Sequence, residues 1–261
     1  MRITVVTQKG SRYGLKLLNL LRWNHTPVEQ VVTLSVGWRH RLRWLRRTAR
    51  RIGWADTLAY TAARRFGPPF ARQGPNWRGC RLERDYRSLA RRVDETRGPR
   101  TPATLDALRR GRPDLCLLAQ SEIVPAALLT IPRVATLNAH PGVLPDYRGL
   151  DPDRWAIYEG RFDRVGVTLH VVDPGIDTGP ILEVHPYRWT GDETLDRLAW
   201  RLNERCLDLL AGACGAPWPA TLEKARPQEG GRLHHAFPPR LRPDAERKLA
   251  THLARRRGSP A

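Results

Sequence analysis

The chain has 261 residues, 41% hydrophobic and 27% charged, enough for one large domain or two small ones with a substantial core. Its mean hydropathy of -0.51, with no apolar run near twenty residues, excludes a membrane span, and the run in Met1-Arg-Ile-Thr-Val-Val-Thr is too short for a signal-peptide core; a soluble, cytoplasmic protein is expected. Basic residues outnumber acidic ones 45 to 26, a formal charge of +19, which raises the expectation of an anionic partner without naming one. Only Lys9, Lys16, Lys224 and Lys248 are lysines, and arginine at this level can equally follow the base composition of the coding DNA. Cys80, Cys116, Cys206 and Cys214 form no C-x-x-C pair, so reduced structural thiols and no metal site are expected.

In chain order, the β-branched run Ile3 to Thr7 predicts a strand, Lys9 to Gly14 a turn, and Leu15, Leu17, Leu18, Leu20 and Leu21 a helix; Gln30 to Val36 then predicts a second buried strand and so a βαβ unit. The glycines Gly10 and Gly14 do not make G-x-G-x-x-G, so a dinucleotide site there is a weak reading. Trp38 to Arg51 carries seven arginines (39, 41, 43, 46, 47, 50, 51) with Trp38, Leu42, Leu45 and Ile52 at helical spacing. A basic amphipathic helix follows; a solvated face above Leu and Trp packing is favoured over a phosphate-binding surface. Gly67 to Gly79 is rich in Pro and Gly and is expected to be a mobile insertion or lid, within an Arg-rich insertion over about 38–100.

The pattern next predicts a helix Thr101 to Arg110, a strand Asp114 to Ala119, a short helix Ala126 to Leu129 and a strand Val134 to Asn138. A helix Asp153 to Tyr158, strands Val165 to Val172 and Ile181 to His185, and a helix Glu193 to Leu210 come next. Pro227 to Pro243 lacks clear periodicity, and a basic helix closes the chain from Asp244 to Arg257. The expected architecture is α/β: a mostly parallel sheet with helices on both faces over residues 1–211, and a short C-terminal extension over 212–261.

The informative segment is Asn138-Ala139-His140-Pro141-Gly142-Val143-Leu144-Pro145-Asp146-Tyr147-Arg148-Gly149. Residues two apart on a strand share a face, so Asn138 and His140 project together where Pro141 stops the ladder. In an open parallel sheet that end borders the ligand crevice. A second segment, Gly166-Val-Thr-Leu-His-Val-Val-Asp173-Pro-Gly-Ile-Asp177-Thr-Gly-Pro180, runs a strand into a turn carrying two carboxylates, which by itself is ordinary turn chemistry.

Together these motifs resemble the folate-dependent formyltransferase family, whose members share Asn-x-His-Pro, then Leu-Pro-x-x-Arg-Gly, Gly-Val-Thr and Asp-x-Gly-x-Asp-Thr-Gly. The resemblance is specific from about Asp114 to Glu183 and looser over Met1 to Ala211. It implies a Rossmann-like catalytic domain using 10-formyltetrahydrofolate as formyl donor, with Asn138, His140 and Asp177 at the catalytic positions. It also implies a pterin pocket walled by the loop Gln120 to Pro125, including Ser121, Glu122, Ile123 and Val124, and by Val172, Asp173, Pro174 and Gly175. Gln120, Ser121 and Glu122 depart from the Gly or Tyr-Gly common there. Arg148 is as well placed for a structural role as for substrate contact.

The residue types suit such chemistry. Formyl transfer to an amine develops an oxyanion, which a fixed donor such as the Asn138 amide or a protonated His140 stabilises. The amine must lose a proton, which a histidine tuned by a carboxylate accepts; Asp177 is expected to raise the His140 pKa. The acceptor expected is a primary amine of a small molecule, such as an amino sugar, amino acid or peptide-like metabolite. Methionyl-tRNA formyltransferases carry a C-terminal barrel for which the segment after Ala211 is short, so a nucleic-acid acceptor is less favoured. A hydrolase passing the formyl group to water and a non-catalytic nucleic-acid binder are the rival readings.

Overall fold

The computed structural model describes residues 1–66, 76–119 and 123–258. In chain order the elements are β1 (Ile3–Gln8), α1 (Arg12–Trp23), β2 (Gln30–Leu34), α2 (Trp38–Ile52), α3 (Trp54–Phe66), β3 (Asn76–Trp77), β4 (Cys80–Arg81), α4 (Tyr86–Leu89), β5 (Arg92–Thr96), α5 (Pro102–Gly111) and β6 (Leu115–Ala119). They continue as α6 (Ala126–Leu129), β7 (Ala135–His140), β8 (Tyr147–Gly149), α7 (Pro152–Tyr158), β9 (Gly166–Val171), β10 (Ile181–Pro186), α8 (Leu195–Ala213), α9 (Ala220–Glu223), β11 (Arg232–His234) and α10 (Arg242–Gly258). A seven-stranded sheet runs in the order β10-β9-β7-β6-β1-β2-β5. The strands from β7 to β5 are mutually parallel, and β9 and β10 add antiparallel at the other edge.

Alternation along each strand feeds two cores. Ile3, Val5, Leu115, Leu117, Leu137 and Leu169 join the helices α1, α8 and α10 on one face. Val6, Val32, Cys116 and Leu118 meet Leu108 of α5 and Leu128 of α6 on the other. Helix α1 is capped by Ser11, whose side chain accepts from Gly14 N–H, and Gly14 lies so close to Thr7 of β1 that a Cβ would overlap its side chain. That glycine therefore serves helix–strand contact. Among the described residues no helix is long and apolar enough to cross a membrane.

Several local expectations change. The stripe on α2 is buried only in its C-terminal half, at Thr48, Ala49 and Ile52, where Ile52 packs with Tyr60 and Ala236 and Trp44 lies against them; Trp38, at the first turn, is 70% exposed. Residues 67–75 of the expected lid lie outside the described residues. Its C-terminal end is anchored: Trp77 is buried, stacks on Trp23 with ring centroids 5.4 Å apart, and donates from Nε1 to Glu204 at 2.6 Å. The segment expected as an insertion contains the edge strand β5, whose charged Arg-Val-Asp-Glu-Thr sequence hid it, since edge strands carry charge to deter pairing. Residues after 212 fold back on the domain, and Phe237, Ala245, Leu249 and Leu253 belong to the same core as α1 and α8.

One buried charge works against this fold. Asp153, in the first turn of α7, is buried, and its Oδ2 has no hydrogen-bond partner. Burial pushes its carboxyl up to about 6, with Arg154 opposing and Asp151 adding to the rise. A carboxyl that keeps its proton to that pH when folded, but releases it near 4 when unfolded, destabilises the fold progressively as pH rises between those values. Asp153→Asn is therefore expected to stabilise at pH 7 by about 1–3 kcal/mol, with the gain gone below about pH 4. Urea unfolding at both pH values tests this; a gain that persists in acid would place its cause elsewhere.

Candidate active site

The site forms at the carboxyl end of β7. Ala135, Leu137 and Ala139 face the α1–α8 core, so Asn138 and His140 project from the opposite face. The antiparallel register with β9 sets His170 opposite Asn138 and Thr168 opposite His140. Thr168 braces the chain after His140, its Oγ1 donating to Gly142 O at 2.7 Å and accepting from Leu144 N at 3.1 Å. The turn between β9 and β10 brings Asp177 back over these residues with φ +52, a left-handed conformation that Asp tolerates better than most side chains.

Asp177 is the hub. Its Oδ2 lies 3.4 Å from His140 Nδ1 and accepts from Gly149 N–H at 3.0 Å. Its Oδ1 lies 3.5 Å from His170 Nε2 and accepts from Asn138 Nδ2 at 3.4 Å. Asn138 Nδ2 also lies 3.2 Å from His170 Nε2. His140 Nε2 sits 2.8 Å from the Tyr147 carbonyl oxygen; a carbonyl only accepts, so Nε2 carries the proton and the lone pair of the neutral ring is at Nδ1, facing the carboxylate. By the same reasoning His170 donates from Nδ1 to Val171 O at 2.9 Å.

Burial sets the charge states. His140, 3% exposed, has its pKa lowered: loss of water outweighs the pull upward from Asp177 and the Tyr147 carbonyl, and His170 lowers it further. The expectation of a raised imidazole pKa is thus overturned; the carboxylate acts in the anticipated direction, but desolvation is larger. Burial would raise the Asp177 carboxyl, yet His140, His170 and the Gly149 N–H together hold it well below the usual carboxylate range. The resting pair is a neutral imidazole beside an ionised carboxylate.

Val124 is buried against Leu128 and Leu118, and Val172 packs on the same cluster. Ile123 is exposed. Asp173 Oδ1 is taken up by its own turn, accepting from Gly175 N at 3.1 Å and Thr178 Oγ1 at 2.6 Å; a Cβ on Gly175 would overlap that hydroxyl. Ser121 and Glu122 lie outside the described residues. Arg148 donates from Nη2 to Gly231 O at 3.0 Å, a structural contact. Two cavities lie away from the constellation, one of about 330 Å³ lined by Arg46, Ala49, Arg50 and Trp54, the other of about 480 Å³ between the start of α8 and α10.

Sequence reasoning missed His170 and Tyr147. His170 shares the Thr168 face of β9, so its side was legible, but its pairing with Asn138 depends on an antiparallel register no motif encodes. Tyr147 contributes a backbone carbonyl, which leaves no sequence signal.

The family described as Formyl transferase matches residues 63–212. A methionyl-tRNA formyltransferase of Thermosynechococcus vestitus (strain NIES-2133 / IAM M-273 / BP-1) is 33% identical over 136 residues, 52% of this chain and 36% of that protein. Another, of Myxococcus xanthus (strain DK1622), is 41% identical over 96 residues, 36% of this chain and 30% of that protein. The alignments thus span about a third of these relatives' length. In fold, the chain resembles a sugar N-formyltransferase from Shewanella sp FDAARGOS_354, with a TM-score of 0.54, 16% identity and coverage of 95% of this chain and 88% of that one. With more than half of its residues matched, and the Asn138, His140 and Asp177 cluster inside the matched segment, the chain belongs to the formyl transferase family.

Proposed function

We propose that the protein is an N-formyltransferase that takes the formyl group of 10-formyltetrahydrofolate and passes it to a primary amine of a small molecule. The observation that carries this reading is the convergence of Asn138, His140 and Asp177 at one strand end. When bound, the folate donor supplies the formyl group on nitrogen. Asn138 offers amide protons to the oxyanion that develops during transfer. The Asp177 side chain, 14% exposed against 4% for His140, is the member the amine's proton reaches first. His140 receives that proton at Nδ1, where the carboxylate stabilises the imidazolium, and the pair gives it up to the folate nitrogen as the bond from that nitrogen to the formyl carbon breaks. The likeness to sugar N-formyltransferases extends over nearly the whole chain and supports a small acceptor such as an amino sugar.

A second reading, an aminoacylated tRNA acceptor, is favoured by two observations: the relatives of higher identity are methionyl-tRNA formyltransferases, and α2 exposes Arg39, Arg43, Arg46 and Arg50 on one stripe. Among the described residues no carboxylate pairs with any of the seven arginines of α2. The test is to incubate the protein with 10-formyltetrahydrofolate and a panel of amino sugars, amino acids, peptides and aminoacylated tRNA while following tetrahydrofolate. Release that requires a small amine is expected. Release with charged tRNA alone supports the second reading, release without any amine marks a hydrolase, and no release removes the proposal.

A further inference from the structure

The three-residue strand β8 holds both members of the histidine–carboxylate pair, and it does so from one edge. Backbone groups of successive strand residues point to opposite edges. On one edge the Tyr147 carbonyl meets His140 Nε2 at 2.8 Å and the Gly149 N–H meets Asp177 Oδ2 at 3.0 Å. The other edge pairs in parallel with β11, in the register Tyr147 with Arg232, Arg148 with Leu233 and Gly149 with His234. Arg232 N–H donates to Asp146 O at 3.2 Å and Leu150 N–H to His234 O at 3.1 Å.

A strand this short does not fix itself; β11 is its ladder partner in a two-stranded sheet. The fit is close. Gly149 has φ +95, and a Cβ there would run into the His234 carbonyl oxygen. The His234 ring stacks on Tyr147 with centroids 4.9 Å apart. The segment carrying β11 is itself anchored at both ends. Arg226 bridges Ile181 of β10 through two backbone bonds of 2.8 Å. His235 O accepts from Trp155 Nε1 at 2.7 Å, and Phe237 N donates to Asp151 Oδ2 at 2.9 Å.

We infer that this segment, residues 226–241, is a strap that positions His140 and Asp177 through β8, so that the active site is complete only with a part of the chain beyond residue 212, where the family match ends. The inference rests on the roles proposed above for His140 and Asp177. It makes Tyr147, Gly149 and the β11 backbone positioning elements that touch no substrate.

Arg232→Pro removes the N–H that closes the ladder at Asp146, whereas Arg232→Ala removes only a side chain that is 73% exposed. The proline variant is expected to lower kcat at least about tenfold with little change in the donor KM, and the alanine variant to match the native protein. Two further readouts accompany the rates: amide exchange at Leu150 reports whether the ladder has opened, and nitrogen NMR of His140 reports whether Nε2 keeps its proton. An opened ladder with an altered His140 signal and reduced kcat supports the strap; an opened ladder with both unchanged overturns it. Should Arg232→Pro fail to fold or leave the ladder closed, Gly231→Val serves instead, because Gly231 has φ +77 and a Cβ there would strike the Pro145 carbonyl oxygen. If the native protein transfers no formyl group, the proposed function fails, while the NMR comparison still decides the strap.

Discussion

His140→Ala and Asp177→Asn are each expected to lower kcat by at least about 100-fold, the range for loss of a general acid–base group, while circular dichroism shows a folded domain. Asparagine tolerates the left-handed backbone at 177 and still offers an oxygen to Gly149 N–H, so the asparagine variant removes charge with little change of shape. The pH dependence gives a second check. His140 must be neutral to accept a proton, and burial lowers its pKa, so the acid limb of kcat is expected below the ordinary imidazole value of about 6.5. Asp177 is the group that pulls that pKa upward; removing its charge moves the residual acid limb to still lower pH. The depressed Asp177 carboxyl also stabilises the fold above the unfolded value of about 4, and that contribution is lost as pH falls further. Asp177→Asn should therefore melt below the native protein at pH 7, with the difference narrowing in acid. Native turnover in either variant would strip these residues of their roles.

Gly142→Ala is expected to be nearly as damaging although it adds one methyl group. A Cβ at 142 would stand 2.7 Å from His140 Nε2, 2.7 Å from Pro152 Cβ and 2.9 Å from the Tyr147 carbonyl oxygen. It would intrude on the hydrogen bond that fixes the imidazole, and all three of its neighbours are backbone or ring atoms with little freedom to move. A loss of about 100-fold in kcat is expected, the scale of an ångström's misplacement of a reacting group, with destabilisation of about 1–3 kcal/mol from overpacking. Gly212→Ala is the control: nothing lies within 4 Å of a Cβ there, and alanine in a helix is favoured over glycine by about 1 kcal/mol. Equal activity in the two variants would show that the His140–Tyr147 bond is dispensable.

Periodicity and turn chemistry were enough to place the strands and helices that carry the site, because apolar alternation and caps act over a few residues. Thr101 illustrates this: read as the first residue of the helix, it is the cap one residue before α5, its side chain accepting from Thr104 N–H. The charged edge strand β5 and the short β11 escaped because neither buries enough side chain to leave a pattern. The pairing of Asn138, His140 and Asp177 was legible through motif order, whereas Ser121 and Glu122, outside the described residues, keep their proposed place on the pterin loop by resemblance alone.

The sequence by itself determined the chemical inventory: an amide and an imidazole on one strand face, a carboxylate on a glycine-rich turn, and the motif spacing that marks the family. Tertiary structure alone decided how those groups are charged and held. Burial, which no local pattern reports, lowers the His140 pKa against the pull of its carboxylate partner. The antiparallel register of β9 brings in His170, and the parallel register of β11 braces β8, since both depend on contacts between residues far apart along the chain.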